Sequence, residues 1–377
     1  MASGVRCAGR SAPCPRCLLY WPRRRAMPQE RGPAQLDLFT GAAVEPPAKG
    51  RKGAQPVEPA AVPESLATLG RELPQGVFLG TSSWTFPGWS GIVYDHEASA
   101  SQLAREGLAA YAHHPVLRTV GIDRTFYGPI ASSAFAEYAA QVPDTFRFLV
   151  KAHEVCTLAR FPLHERYGAQ RGQTNERFLH AAYATEAVVM PFVEGLGEKA
   201  GPLVFQFPPQ DPQALGGPAR FVERLHAFFA ALPKGPLYAV ELRNEELLTE
   251  GLAQALADVG VSPVLAVWAH MPPVGRQAKL TRAFESRALV VRWMLPPDLG
   301  YEEARARYAP FNKLVDEDVP TRDVLARVCL AALRRDKPTF ITINNKAEGS
   351  APLSAIKLAE RVVLGRREEA ERHAATR

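Results

Sequence analysis

Val77-Phe78-Leu79-Gly80-Thr81-Ser82-Ser83-Trp84 is a run of strand length that stops on hydroxyls and an indole rather than on plain turn residues. Seven further runs share its β-branched or aromatic content, at 119–127, 146–153, 201–208, 237–244, 262–270, 288–295 and 339–346. Stretches of helical period separate most of them, at 101–111, 175–196, 219–232, 249–259 and 322–334. Strand and helix alternating eight times predict a (β/α)8 TIM barrel, an α/β fold with its chemistry at the C-terminal rim. An open doubly wound sheet is the alternative, but no Gly-x-Gly-x-x-Gly turn follows the first run, where a dinucleotide site needs it. Residues 271–287 offer the least helical pattern of any connection.

The 377 residues divide into three by composition. Residues 73–365 form the barrel domain, close to the ~250 residues such barrels use. Residues 1–72 are rich in Pro, Ala, Gly, Arg and Lys without periodicity, which predicts a disordered basic tail. Residues 366–377 read as a charged tail at a frayed helix end. No apolar stretch reaches the ~18 residues of a membrane span, so a soluble cytoplasmic protein is expected. The net charge of +6 is modest and sits partly in the tail, at Arg23, Arg24, Arg25, Lys49, Arg51 and Lys52.

Cys14 and Cys17 have the spacing of two zinc thiolates, with Cys7 nearby, but no fourth ligand stands close; incidental cysteines are the plainer reading. Met27 offers an alternative start. Cys156 and Cys329 give no reason to expect a disulfide, consistent with a reducing compartment. Within the tail, Gln35-Leu36-Asp37-Leu38-Phe39 is an isolated apolar island. A disordered segment gains nothing by exposing Leu36, Leu38 and Phe39 unless something binds them. The pentapeptide resembles the bacterial sliding-clamp binding motif, which implies a clamp partner; packing of Leu38 and Phe39 back onto the barrel is the competing reading.

Side chains two apart on a strand share a face, so rim companions can be read off by parity. Lys151 pairs with His153, Glu241 with Arg243, Asp123 with Thr125, and Asn344 with Lys346. Ser83, Tyr127, Gln206, Asn244, Trp268, His270, Arg292, Asn345 and Glu348 complete a polar mouth. Each alone has an ordinary structural explanation: a half-buried pair, a satisfied backbone group, a packed ring. Trp84, Trp89 and Trp293 are expected in the core. Several strands ending independently in ionisable groups is what core packing alone does not require.

Six blocks in order carry a resemblance: Gly80-Thr81-Ser82-Ser83-Trp84, Asp123-Arg124-Thr125-Phe126-Tyr127, Val150-Lys151-Ala152-His153, Gln206-Phe207-Pro208, Val240-Glu241-Leu242-Arg243-Asn244 and Asn344-Asn345-Lys346-Ala347-Glu348-Gly349. Together they resemble the YecE-like family, domain of unknown function 72. The resemblance implies a TIM barrel and leaves the reaction open. Many members carry Glu and Asn in the second-strand block, where this chain has Gly121 and Asp123, so Asp123 becomes the local acid candidate.

Arg124, Lys151, Arg243, Arg292 and Lys346 outnumber Asp123, Glu241 and Glu348, although parity makes Arg124 the least certain to face inward. Converging cations favour an anionic ligand, phosphate or carboxylate. The leading expectation is an enzyme on a phosphate-bearing substrate, nucleic acid included, of the hydrolase or lyase class. Glu241 or Asp123 would serve as general base while Lys151 or Arg243 stabilises developing charge. The alternative is a non-catalytic module for nucleic acid or an anionic metabolite, docked on the clamp, with Phe126, Tyr127, Trp268 and Trp293 beside the cations. His153 and His270 are too few for a polynuclear zinc site. A single divalent ion on Asp123, Glu241 and a histidine lacks supporting spacing, and the sequence names no cofactor.

Overall fold

The computed structural model describes residues 55–375 except Pro297. Eight parallel strands close into a barrel in chain order. They are β1 (Val77–Thr81), β2 (Leu117–Ile122), β3 (Arg147–Lys151), β4 (Ala200–Phe207), β5 (Leu237–Leu242), β6 (Ser262–Val267), β7 (Leu289–Trp293) and β8 (Thr339–Ile343). Each begins within a few residues of its sequence-derived run and ends earlier. Short 3-10 turns take over at Arg124–Phe126, Glu154–Cys156, Glu245–Leu247 and Asn345–Ala347, so the rim residues leave the ladder.

Register places side chains in layers. Val204 pairs with Ala239, Val264 with Val290 and Val290 with Phe340, and these residues close the lower barrel with Leu149. Phe78 stacks on Phe340 there, ring centroids 4.6 Å apart. Two residues further along, the same inward faces carry Lys151, Gln206, Glu241 and Arg292, with Gln206 paired to Glu241 and Ala266 to Arg292. An apolar plug therefore lies beneath an ionic layer, as strand parity requires. The opposite faces, such as Phe205, Val291 and Trp293, pack into the larger core under the helices, where Trp84 and Trp89 are also buried.

Two strands approach too closely for side chains. A Cβ on Gly80 would meet the Thr119 carbonyl at 1.8 Å, and one on Gly121 would meet the Ser82 carbonyl at 2.7 Å. A carboxylate at position 121 is thus barred in this backbone, and the acid stands at Asp123.

Two connections differ from expectation. A helix at Val274–Leu280 does join β6 to β7, anchored by buried Gln277, whose side chain bonds the backbone N and O of Ala266 and the O of Pro272. The helix expected over 175–196 starts only at Ala181 and passes through a π-turn at Thr185–Val189. There the Met190 N–H reaches Thr185 O, and Pro191, one residue on, has no N–H to contribute.

Both expected tails include ordered residues. Residues 55–72, grouped by composition with the tail, are ordered: Val57 and Ala60 are buried, and Glu64–Glu72 is a helix. Arg118 donates to the carbonyls of Gly70, Leu73 and Pro74, satisfying its C-terminal end. The last helix, Ala351–Ala375, runs unbroken through the expected tail, where Arg334 pairs with Glu369 and Arg367 with Glu72. Composition misjudged residues 55–72 because tertiary contacts leave no periodic signature, whereas the helix-end reading of 366–377 agrees with the helix reaching Ala375. Cys156 and Cys329 are free and buried. No described helix is long and apolar enough to cross a membrane. The cysteines at 7, 14 and 17, Met27 and the peptide 35–39 lie outside the described residues.

Candidate active site

The rim gathers five ionised side chains from four strand ends. Glu241 Oε2 accepts from Arg292 Nη1 at 2.6 Å, and its Oε1 from Arg243 Nε at 3.0 Å. Gln206 Oε1 lies between the same arginines, 3.1 Å from Arg292 Nη1 and 3.3 Å from Arg243 Nη2. Lys151 Nζ stands 2.9 Å from Asp123 Oδ2, and Arg292 Nη2 is 3.8 Å from that oxygen. Side-chain exposure is 0% for Glu241, 1% for Arg292, 7% for Asp123, 9% for Lys151 and 12% for Arg243. Three cations thus face two carboxylates, with the opening toward solvent on the Lys151 and Arg243 side.

Burial sets the electrostatics. Loss of hydration pushes the Lys151 ammonium down to about 8, and neighbouring Arg292 adds to this, while Asp123 and Glu241 oppose it. For Glu241, burial alone would raise the carboxyl, but Arg292, Arg243 and Lys151 together outweigh it and hold the group at about 2. Arg243 is lowered by desolvation against the attraction of Glu241. Its guanidinium lies 4.3 Å from the Trp268 ring centroid, a cation–π contact that fixes its plane. Burial also raises Tyr127, helped by the charge of Asp123.

Around this floor stand groups that strand-end reasoning missed. Arg166, on the long loop after β3, is 5.2 Å from the Tyr127 ring and ion-pairs with buried Glu154 at 2.6 Å. Tyr301, after β7, lies under Lys346 Nζ at 4.0 Å, with Phe311 at 5.9 Å. Neither Arg166 nor Tyr301 falls in a strand run, so parity gave no signal for them.

Other expected members go elsewhere. Arg124 is exposed and packs over Tyr138, away from the ionic layer, because a 3-10 turn follows Asp123. Thr125, the parity companion of Asp123, turns its hydroxyl to the carbonyls of Ile122 and Lys151. His153 Nδ1 meets the Tyr183 hydroxyl at 2.6 Å, and burial lowers the ring to about 4, keeping it neutral. Asn244 ties itself to the Gln210 backbone, and Asn345 Oδ1 accepts from Trp89 Nε1 and Ala351 N. Asn344 caps the turn at the Lys346 N–H. Ser83 Oγ meets Thr85 Oγ1 at 3.2 Å, a local rim contact. His270 is exposed at a positive φ of 66°, beyond the end of β6.

Glu348 is the clearest departure from the mouth. It is fully buried, but Arg322 and the Asp318 N–H take its oxygens, at 2.7 and 3.1 Å from the guanidinium and 2.6 Å from the amide. Among the described residues, no three His, Cys, Asp or Glu side chains gather as a metal site.

Closed parallel barrel and ionic rim together define a TIM-barrel protein with a charged C-terminal mouth. The family model described as protein of unknown function DUF72 matches residues 78–376, and the chain belongs to that family, the YecE-like family of the sequence blocks. A solved DUF72 family protein of Enterococcus faecalis is 17% identical with a TM-score of 0.54, covering 76% of this chain and 95% of that one. This likeness concerns the fold. A DUF72 family protein of Thermotoga maritima is 19% identical with a TM-score of 0.49, covering 75% and 98%. No curated protein matches the chain.

Proposed function

We propose that the barrel mouth is an enzyme site for an anionic substrate, phosphate-bearing in the plainest case, with hydrolase or lyase chemistry. The observation that carries this reading is the excess of cation in a desolvated cluster: Lys151, Arg243 and Arg292 against Asp123 and Glu241. A buried site with one uncompensated positive charge is relieved by a bound anion. Arg243, held flat by Trp268 and reaching solvent, and Lys151 are the groups to hold it.

The catalytic roles divide differently from the sequence-based expectation. A carboxyl held at about 2 by two guanidiniums is a weak base, so Glu241 is read as the anchor that positions Arg292 and Arg243. Lys151 suits proton transfer: at about 8 it is mostly charged near neutrality yet able to release a proton to the leaving group or regain one. Asp123 beside it steadies the ammonium. Turnover assays over phosphorylated and carboxylated metabolites, and over abasic, flapped and single-stranded DNA, test this. Lys151→Met should lower kcat by about 10²-fold or more on whichever substrate reacts; undiminished turnover rejects the assignment.

The peptide Gln35-Leu36-Asp37-Leu38-Phe39 favours a second reading, a nucleic-acid or metabolite binding module recruited to a sliding clamp. Binding to DNA without product, together with clamp association, would support the module over the enzyme.

A further inference from the structure

Among the described residues, the Asp123 carboxylate accepts no hydrogen bond at either oxygen, although both are buried. Lys151 Nζ is near enough to Oδ2 for an ion pair, at 2.9 Å, but lies outside hydrogen-bond geometry, and Arg292 Nη2 at 3.8 Å is too far. The nearest hydroxyl in sequence, Thr125, is committed to two carbonyls. Buried carboxylates ordinarily accept several hydrogen bonds, as Glu241 and Glu348 do here. What Asp123 lacks is therefore a donor; charge is already supplied by the lysine and arginine beside it.

We infer that the mouth selects anions bearing a hydroxyl near the charged group, with Asp123 accepting from that hydroxyl while Lys151 and Arg243 hold the anion. This rests on reading the mouth as an anion site. A ligand ammonium could also donate to Asp123, but it would add a fourth cation to a cluster already positive. A neutral hydroxyl supplies the donor without that cost. Arg292 Nε, buried and without an acceptor, leaves one more position that a ligand oxygen can fill. The ligand class is hydroxylated phosphates or hydroxy acids, which share this chemistry.

The test is calorimetric titration of the full chain with four probes: glycerol 3-phosphate and glycerate, and their hydroxyl-free counterparts n-propyl phosphate and propionate. At least one hydroxylated probe should bind tenfold or more tightly than its counterpart, and the phosphate and carboxylate arms identify the anion. Asp123→Leu should erase that ratio, whatever it does to the affinity of the hydroxyl-free probe, because the ratio within one variant cancels any change in the Lys151 charge. Asp123→Asn, which keeps an acceptor oxygen and the side chain's shape, should retain part of it. Equal wild-type affinities for both members of each pair overturn the hydroxyl inference while the anion reading stands. A ratio that survives in Asp123→Leu overturns the role of Asp123. Absence of binding by all four probes to wild-type protein sinks the anion reading, and this inference with it.

Discussion

Two buried ionic networks in this barrel look alike in sequence and differ in structure. Around Glu348, both carboxylate oxygens are filled by Arg322 and by the Asp318 amide, Arg322 also meets Glu317 at 2.8 Å, and the Glu348 carbonyl accepts from Val315 N at 2.8 Å. Both carboxylate oxygens are partnered, and the network straps the segment before residue 319 to the turn after β8. In the mouth, by contrast, both Asp123 oxygens and Arg292 Nε are buried without a hydrogen-bond partner among the described residues. Saturation marks a network that holds the fold. Missing partners mark one arranged for something that arrives later.

The comparison breaks most visibly on stability. Arg322→Met strips Glu348 of its guanidinium and leaves a buried carboxylate on a single amide, so a loss of about 3–5 kcal/mol in urea denaturation is expected. Little change would show that saturation does not signify structure here.

Glu241 belongs to both types, saturated itself yet part of the mouth. Glu241→Gln should cost about 1.5–3 kcal/mol, the range for hydrogen bonds to charged groups. Because the folded carboxyl lies below its ordinary 4.5, its contribution is complete above that pH and fades as pH falls toward about 2. Denaturation curves between pH 5 and 2, at about half-unit steps, should therefore lose stability more steeply in wild-type protein than in the variant. Parallel curves would mean that Glu241 is not held by the arginines.

Lys151→Met should leave stability at neutral pH unchanged or raised, since the desolvation of its ammonium and the nearby Arg292 outweigh its attraction to Asp123 and Glu241. The folded ammonium lies at about 8 against an ordinary 10.5. Between those values the unfolded chain keeps a proton that the folded one has released, so wild-type stability gains with rising pH across that window. The variant should lack the gain. Amine acylation of Lys151, followed by mass spectrometry, should show a midpoint near 8; a midpoint at 10 or above contradicts the burial argument.

The smallest effect on the fold is expected in the tail. Replacing Leu38 and Phe39 by Ala should leave the denaturation midpoint in place while abolishing association with a bacterial sliding clamp in a pull-down. Retained association would remove the motif from the account.

The barrel was legible because its signal is repetitive: apolar runs at strand length, each followed by a change of period, and inward parity that carried Lys151, Gln206, Glu241 and Arg292 into one layer. Legibility failed where a strand had already ended. Arg124, Thr125, Asn345 and Glu348 sit in or beside 3-10 turns, where residues two apart no longer share a face. Arg166 and Tyr301 come from connections whose conformation depends on tertiary partners such as Glu154 and Lys346. Glu348 misled because its partner Arg322 is 26 residues away, a pairing invisible in a local pattern.

The central claim is that the mouth draws an anion between Lys151 and Arg243. Crystals of the full chain soaked in glycerol 3-phosphate test it most directly. The account predicts phosphate density in contact with the Lys151 ammonium and the Arg243 guanidinium, with a ligand hydroxyl on Asp123. Density for the anion only at the outer surface, with the mouth filled by water, would contradict it.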